Sequence, residues 1–265
     1  MTASLWQRRI KRAEELAEEH PYVAEILRFY ASLARFQGDL YQQLTVALSS
    51  QAGAGPLNDG LDAAVLQELT ARFESYLFLV EKRGPQRLAG LGQEVRARGQ
   101  AFWNELLNSA WTSQGADDVQ SILALAFLQP YAMLLRTRSD PSTFSAMPVC
   151  PFCRRRPVVG VLRPKSESSA RSLVCSFCLN EWEFRRLVCP ACGEESDRKL
   201  VVYTANSFEY IRIECCETCK TYLKTVDLTK NGLADPIVDE LASAPLDLWA
   251  RERNYAKLHT NILGL

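Results

Sequence analysis

Apolar residues recur at spacings of three and four early in the chain: Val23, Ile26, Leu27, Tyr30, Leu33, Ala34, Leu40, Tyr41, Leu44 and Leu48. That period lays one stripe along an α-helix, and Pro21 stands where a first helical turn tolerates it. Gln37 interrupts the stripe, so a bend is expected there. The stretch 51–60, QAGAGPLNDG, is a loop by its Gly, Pro and Asn content. Leu66, Leu69, Phe73, Tyr76, Leu77 and Val80 make a second stripe, stopped by Gly84-Pro85. Leu88, Leu91, Val95, Phe102, Leu106 and Leu107 suggest a third. Val119 to Leu135 is apolar almost throughout, as the central helix of a bundle would be, with Pro130 expected to kink it. These leucine and aromatic stripes are core packing rather than a cofactor box.

After residue 139 the period changes. The segment 137–148, TRSDPSTFSAMP, has the composition of a linker. Short β-branched runs follow at 158–162, 172–174, 200–203, 210–213 and 222–226. Trp182, Phe184 and Val188 alternate with charged residues in the manner of a strand. Ile237, Leu241, Ala244 and Leu248 return to helical spacing, and a charged run continues through Lys257.

Composition adds one anomaly. The chain has 265 residues, 47% hydrophobic and 23% charged, an ordinary globular balance, and its 31 basic and 31 acidic residues cancel. All nine cysteines, however, lie between Cys150 and Cys219. Eight form four C-x-x-C pairs: Cys150/Cys153, Cys175/Cys178, Cys189/Cys192 and Cys216/Cys219. Two such knuckles direct four sulfurs at one point, a tetrahedron suited to zinc or a single iron. Gly193 follows the third pair and eases the backbone there. Arg154, Leu179 and Lys220 hold the same place in the other pairs, so those knuckles must adopt another geometry or accept strain. Gaps of 21 residues (Cys153 to Cys175) and 23 residues (Cys192 to Cys216) each fit a β-hairpin and favour consecutive pairing. A cross-braced arrangement is the alternative, and loop entropy does not separate the two. Cys215 is left over, read first as a small buried neighbour and otherwise as an alternative ligand or reactive thiol. An iron–sulfur cluster is a lesser candidate, since its cysteines usually crowd more tightly.

Charge decides between partners. Residues 146–226 carry 13 basic and 9 acidic residues, but each tetrathiolate holding a divalent metal carries −2. Two sites cancel the formal excess, so phosphate-driven binding lacks its main term. No nucleic-acid partner is expected, and the Arg154-Arg155-Arg156 run reads as a solvated knuckle edge. Arg8-Arg9 is followed by Lys11, Arg12, Glu14 and Glu15 rather than the apolar stretch of an export signal, so it reads as a solvated helical face. The longest apolar run, Ile122 to Leu128, is short of the roughly 20 residues a membrane helix needs. Cysteines spaced as metal knuckles then suit a reducing cytoplasm.

The segments CPFCRRRPVVGVL, LVCSFCLNEWEFRRLVCPACG, CCETCKTYLKTVDL and DELASAPLDLWARERNY, in that order, resemble the formate dehydrogenase accessory protein family of FdhE type. The resemblance spans about the last 120 residues, with AFLQPYAMLL similar to the end of that family's helical domain. It implies a cytoplasmic maturation factor that binds the catalytic subunit of formate dehydrogenase and is not a subunit of the finished enzyme. It also implies that Cys150, Cys153, Cys175, Cys178, Cys189, Cys192, Cys216 and Cys219 are the metal ligands. Cys215 departs from the pattern.

The expected fold is α+β and multidomain: an all-α N-terminal bundle (1–145), two rubredoxin-like or zinc-ribbon β modules (146–187 and 188–265), and a C-terminal helix within the second module. The expected function is non-enzymatic, with two metal ions, zinc or iron, each in a four-cysteine site and no membrane insertion. A rubredoxin-like iron electron carrier and a zinc-ribbon nucleic-acid binder are the alternatives.

Overall fold

A computed structural model of the chain describes residues 2–49, 60–113, 118–139, 147–165 and 168–265. The loop expected at 51–60, except Gly60, lies outside the described residues, as do most of the linker expected at 137–148 and the boundary expected at 145/146. The chain divides into two compact units.

The first unit holds α1 (Thr2–Glu19), α2 (Ala24–Ala47), α3 (Ala63–Arg83), α4 (Gln86–Ala97), α5 (Gly99–Thr112) and α6 (Val119–Arg138), with a 3-10 turn at Pro21–Val23. Asp62 and Asp118 cap α3 and α6 by accepting from backbone amides of the first turn. The third stripe is two helices, broken where Gly99 takes a left-handed φ of 76°. Phe73, Tyr76 and Phe127 pack ring against ring in the core, Phe73 and Phe127 with centroids 4.9 Å apart. Helix α6 is long and apolar enough to cross a membrane, but 78% of its most apolar stretch is buried, which fits a bundle's central helix. Arg9 departs from the solvated face expected for it. It is buried, its guanidinium 5.7 Å from the Trp6 ring.

No bend is needed at Gln37, because α2 runs unbroken through it. Pro130 inside α6 has no N–H to give the carbonyl of Ala126, four residues back. The fully buried Gln37 supplies the missing donor, its Nε2 lying 2.6 Å from Ala126 O. The polar residue in the stripe and the proline in the neighbouring helix are thus one feature. Gln37→Leu is expected to leave that carbonyl unpaired and cost about 1–3 kcal/mol, read as a fall in urea midpoint at unchanged slope.

The second unit contains β1 (Pro157–Lys165), β2 (Ser168–Cys175), β3 (Glu181–Glu183), β4 (Leu200–Ala205), β5 (Phe208–Cys216) and β6 (Thr221–Asp227), then α7 (Pro236–Ala242), α8 (Ala244–Glu252) and the two-residue β7 (Ala256–Lys257). The strand order is β3-β2-β1-β6-β5-β4, with β7 beside β6. Each half is an antiparallel meander, β1-β2-β3 and β4-β5-β6, so the same plan is used twice. The segments 146–187 and 188–265 share a single sheet, joined where β1 runs parallel to β6. Gly160 faces Thr225 at this seam, and a Cβ on Gly160 would stand 2.3 Å from Thr225 Oγ1. Only glycine permits that approach. The C-terminal helix comes as two short helices broken at Ser243, and α7 packs on β6 and β1.

Candidate metal centres

Each knuckle is a tight turn at one end of a hairpin. Cys150 N–H donates to Arg155 O and Arg154 N–H to Cys150 O. In the third knuckle Cys189 N–H donates to Glu194 O and Gly193 N–H to Cys189 O, all at 2.8–2.9 Å. The residue after the second cysteine is left-handed in all four knuckles, with φ of 63° at Arg154, 53° at Leu179, 78° at Gly193 and 55° at Lys220. Three knuckles therefore accept strain rather than a different geometry. Arg154→Gly, at an exposed position, is expected to stabilise the unit by about 0.5–1 kcal/mol, the left-handed penalty less glycine's entropy. A rise in melting temperature at unchanged metal content would record it.

The turns bring all eight expected cysteines together in two groups, Cys150, Cys153, Cys175 and Cys178, and Cys189, Cys192, Cys216 and Cys219. Within each group the sulfurs lie within 4.8 Å of one another. Knuckles consecutive in sequence share a group. In the second group Cys189–Cys219 and Cys192–Cys216 are 3.8 and 3.7 Å apart. A tetrahedron with metal–sulfur bonds of about 2.3 Å has edges of about 3.8 Å, so this group fits a four-coordinate ion. The first is slightly tighter, with Cys150–Cys178 at 3.5 Å and Cys153–Cys175 at 3.2 Å. Backbone amides add to the field, since Cys153, Phe177 and Ala191 N–H point at the sulfurs of Cys150, Cys175 and Cys189.

Electrostatics separates the two groups. All four cysteines of the first are buried, whereas Cys192 is exposed and Cys219 half-buried in the second. In the first group, neighbouring thiols hold Cys150 far below its usual range, while burial pushes Cys175 and Cys178 well up. Four thiolates cannot gather there without a cation. Burial raises Cys219 as well, but hydrogen bonds with Thr221, Cys192 and Cys216 together outweigh it and leave the thiol at about 7. Cys215 belongs to neither group. It is buried on β5 opposite Val201 and Tyr222, and burial pushes its thiol up to about 12. A protonated buried thiol is inert.

Arg155 corrects the expectation for the arginine run. Arg154 and Arg156 are exposed, but Arg155 is buried over Phe177, 4.4 Å from the ring centre. Burial lowers its pKa, and the sulfurs of Cys153, Cys175 and Cys178 oppose that. A guanidinium there would offset half of the −2 charge of a loaded first centre. Nothing in the sequence separates it from its two exposed neighbours. Arg155→Met is expected to weaken metal retention at the first centre by about 10–100-fold, measured by chelator competition, and to leave the second centre unchanged.

Two protein-family models match in succession: "FdhE, central domain" over residues 149–186 and "FdhE, C-terminal domain" over residues 187–263. The chain is 28% identical to the Protein FdhE homolog of Aquifex aeolicus over 268 residues, covering 96% of this chain and 94% of that one. The chain is thus similar to FdhE proteins along nearly its whole length. A second FdhE homolog, from Cronobacter sakazakii, is 29% identical over 279 residues, covering 97% of this chain and 87% of its own length. The crystal structure of the FdhE protein from Pseudomonas aeruginosa shares the fold, with a TM-score of 0.66, 23% identity and coverage of 98% and 96% of the two chains. The helical unit, which carries no motif as specific as the knuckles, falls within these full-length matches.

Proposed function

We propose that this chain belongs to the FdhE family and is a non-enzymatic accessory protein for formate dehydrogenase, which binds that enzyme's catalytic subunit in the cytoplasm during maturation. Similarity to the FdhE family supports the formate dehydrogenase connection. The observation that carries the metal part is the pair of four-sulfur groups held at opposite halves of one sheet. Cys150, Cys153, Cys175 and Cys178 would hold one ion, and Cys189, Cys192, Cys216 and Cys219 the other. The residues 146–187 and 188–265 then act as two modules, each closed by its own zinc or iron. Tagged chain is expected to co-purify with the catalytic subunit, and deletion to abolish formate dehydrogenase activity. Failure of both would overturn the reading.

The exposure of Cys192 favours one second reading, an iron electron carrier, because electron transfer needs a sulfur near the surface. Anaerobically purified protein holding iron, with reversible thiolate-to-iron absorption, would support it. Protein holding zinc alone would exclude it.

A further inference from the structure

Sheet edges are normally blunted by charge, proline or a covering element. At one edge, β3 is three residues long and carries Glu181 and Glu183. The other edge, β4, is not blunted. Its sequence is LVVYTA, with no charge and no proline, and its only strand partner among the described residues is β5. Glu217 N–H donates to Lys199 O, so by antiparallel alternation Val201 and Tyr203 face β5, while the N–H and C=O of Val202 and Thr204 point to the open side. The Val202 side chain is 52% exposed.

Beside this edge lies a cavity of about 110 Å³, the size of one apolar side chain. Leu200, Val201, Val202, Val188 and Leu223 line it, and Leu187 is 64% exposed at its margin. Arg171 reaches it from β2. That side chain is buried, with Nη1 on Arg185 O and Nη2 on Glu214, yet its Nε has no hydrogen-bond partner among the described residues. A buried donor without an acceptor calls for an incoming one. Arg186, also lining the cavity, and Arg198, just before β4, are exposed and make no ion pair among the described residues.

We propose that β4 accepts an extended apolar segment of a protein partner as an added strand, with one of its side chains in the cavity and acidic residues flanking it against Arg186 and Arg198. Main-chain hydrogen bonds supply the affinity and the cavity supplies the selection. A second copy of this chain is the poorer occupant, because it would bring the same arginines into the same interface. The proposal rests on the partner reading above and places the catalytic subunit's contact on this edge.

The test uses the full chain with both metals loaded. Val202→Lys puts a charge on the open edge, and Val202→Pro removes an outward N–H without breaking the β4–β5 ladder. Each is expected to cut capture of the formate dehydrogenase catalytic subunit at least tenfold, with metal content and circular dichroism unchanged. In the wild-type complex, the Val202 and Thr204 amides are expected to exchange at least tenfold more slowly than in the free chain. Undiminished capture by both variants, or unchanged exchange, overturns the proposal. A wild-type dimer that Val202→Lys dissolves overturns it in favour of self-pairing. If wild-type protein captures no subunit, the partner reading falls and this proposal falls with it. Loss of capture in the variants alone supports both.

Discussion

Cys178→Ser is expected to halve the metal content of the purified protein, from two ions to one, and to remove most of the thermal stability of the cysteine-bearing unit. The side chain lies in a fully buried group of four sulfurs. A serine hydroxyl nearly fills its volume but does not ionise, so the fourth bond is lost. Closing a four-cysteine site on a zinc-type ion contributes on the order of 10 kcal/mol of apparent folding free energy, as much as a typical domain's whole net stability. The hairpin β1–β2 and the three-residue β3 bury too little by themselves to replace it. Burial holds Cys175 and Cys178 protonated until a cation arrives. Uptake must therefore release protons, and affinity must rise with pH. Cys215→Ser is the internal control, since Cys215 lies in neither group. It is expected to keep both ions and to cost about 1 kcal/mol. Metal analysis with calorimetry on the two variants decides. If Cys178→Ser retained two ions and its melting temperature, the first centre would not be a metal site.

The two centres were legible because a C-x-x-C pair states its geometry locally. A spacing of three makes the turn, a gap of 21 or 23 residues makes the hairpin, and Gly193 marks the left-handed position. The helical unit was legible for the same reason, through its period. What stayed hidden depends on pairs far apart in the chain. Gly160 sits in the run VVGVL with nothing nearby to explain it, because its reason is the Thr225 side chain on the parallel strand. Gln37 looked like a break in a stripe and is a donor for a carbonyl freed by Pro130. Arg155 differs from Arg154 and Arg156 only in which way its side chain turns. Charged residues near the C-terminus, Glu240 and Asp247 among them, resemble a solvated helix surface and are buried. Lys224 carried the one available signal, a lone charge inside the run Tyr222 to Val226.

Lys224→Met is the second large effect expected. Lys224 is fully buried, its Nζ 2.6 Å from Glu240 O, 2.8 Å from Asp247 Oδ2 and 3.0 Å from Glu240 Oε1. Lys257 contacts the same two carboxylates and Leu265 O. Tyr222 donates to Asp247 and Asn261 Nδ2 to Glu240 Oε2, both at 2.8 Å. Two cations thus balance two anions away from water, tying β6 to α7, α8 and the chain's end. Removing one cation leaves two buried carboxylates facing Lys257 alone, at a cost of about 3–5 kcal/mol. A fall in melting temperature of roughly 10 °C or more follows. Acid should narrow that difference. Burial would raise the Glu240 carboxyl, but Lys224 and Lys257 outweigh it and hold it at about 2, below its usual 4.5. Its contribution is therefore complete above pH 4.5 and is lost as pH falls toward 2. In Lys224→Met the carboxylates protonate earlier, relieving the unpaired charge, so the two proteins should converge near pH 3. Adding Asp247→Asn to Lys224→Met restores the charge balance and should recover part of the loss at pH 7. A gap that does not narrow with acid, or a double variant no more stable than the single one, would mean that packing rather than paired charge holds these elements together.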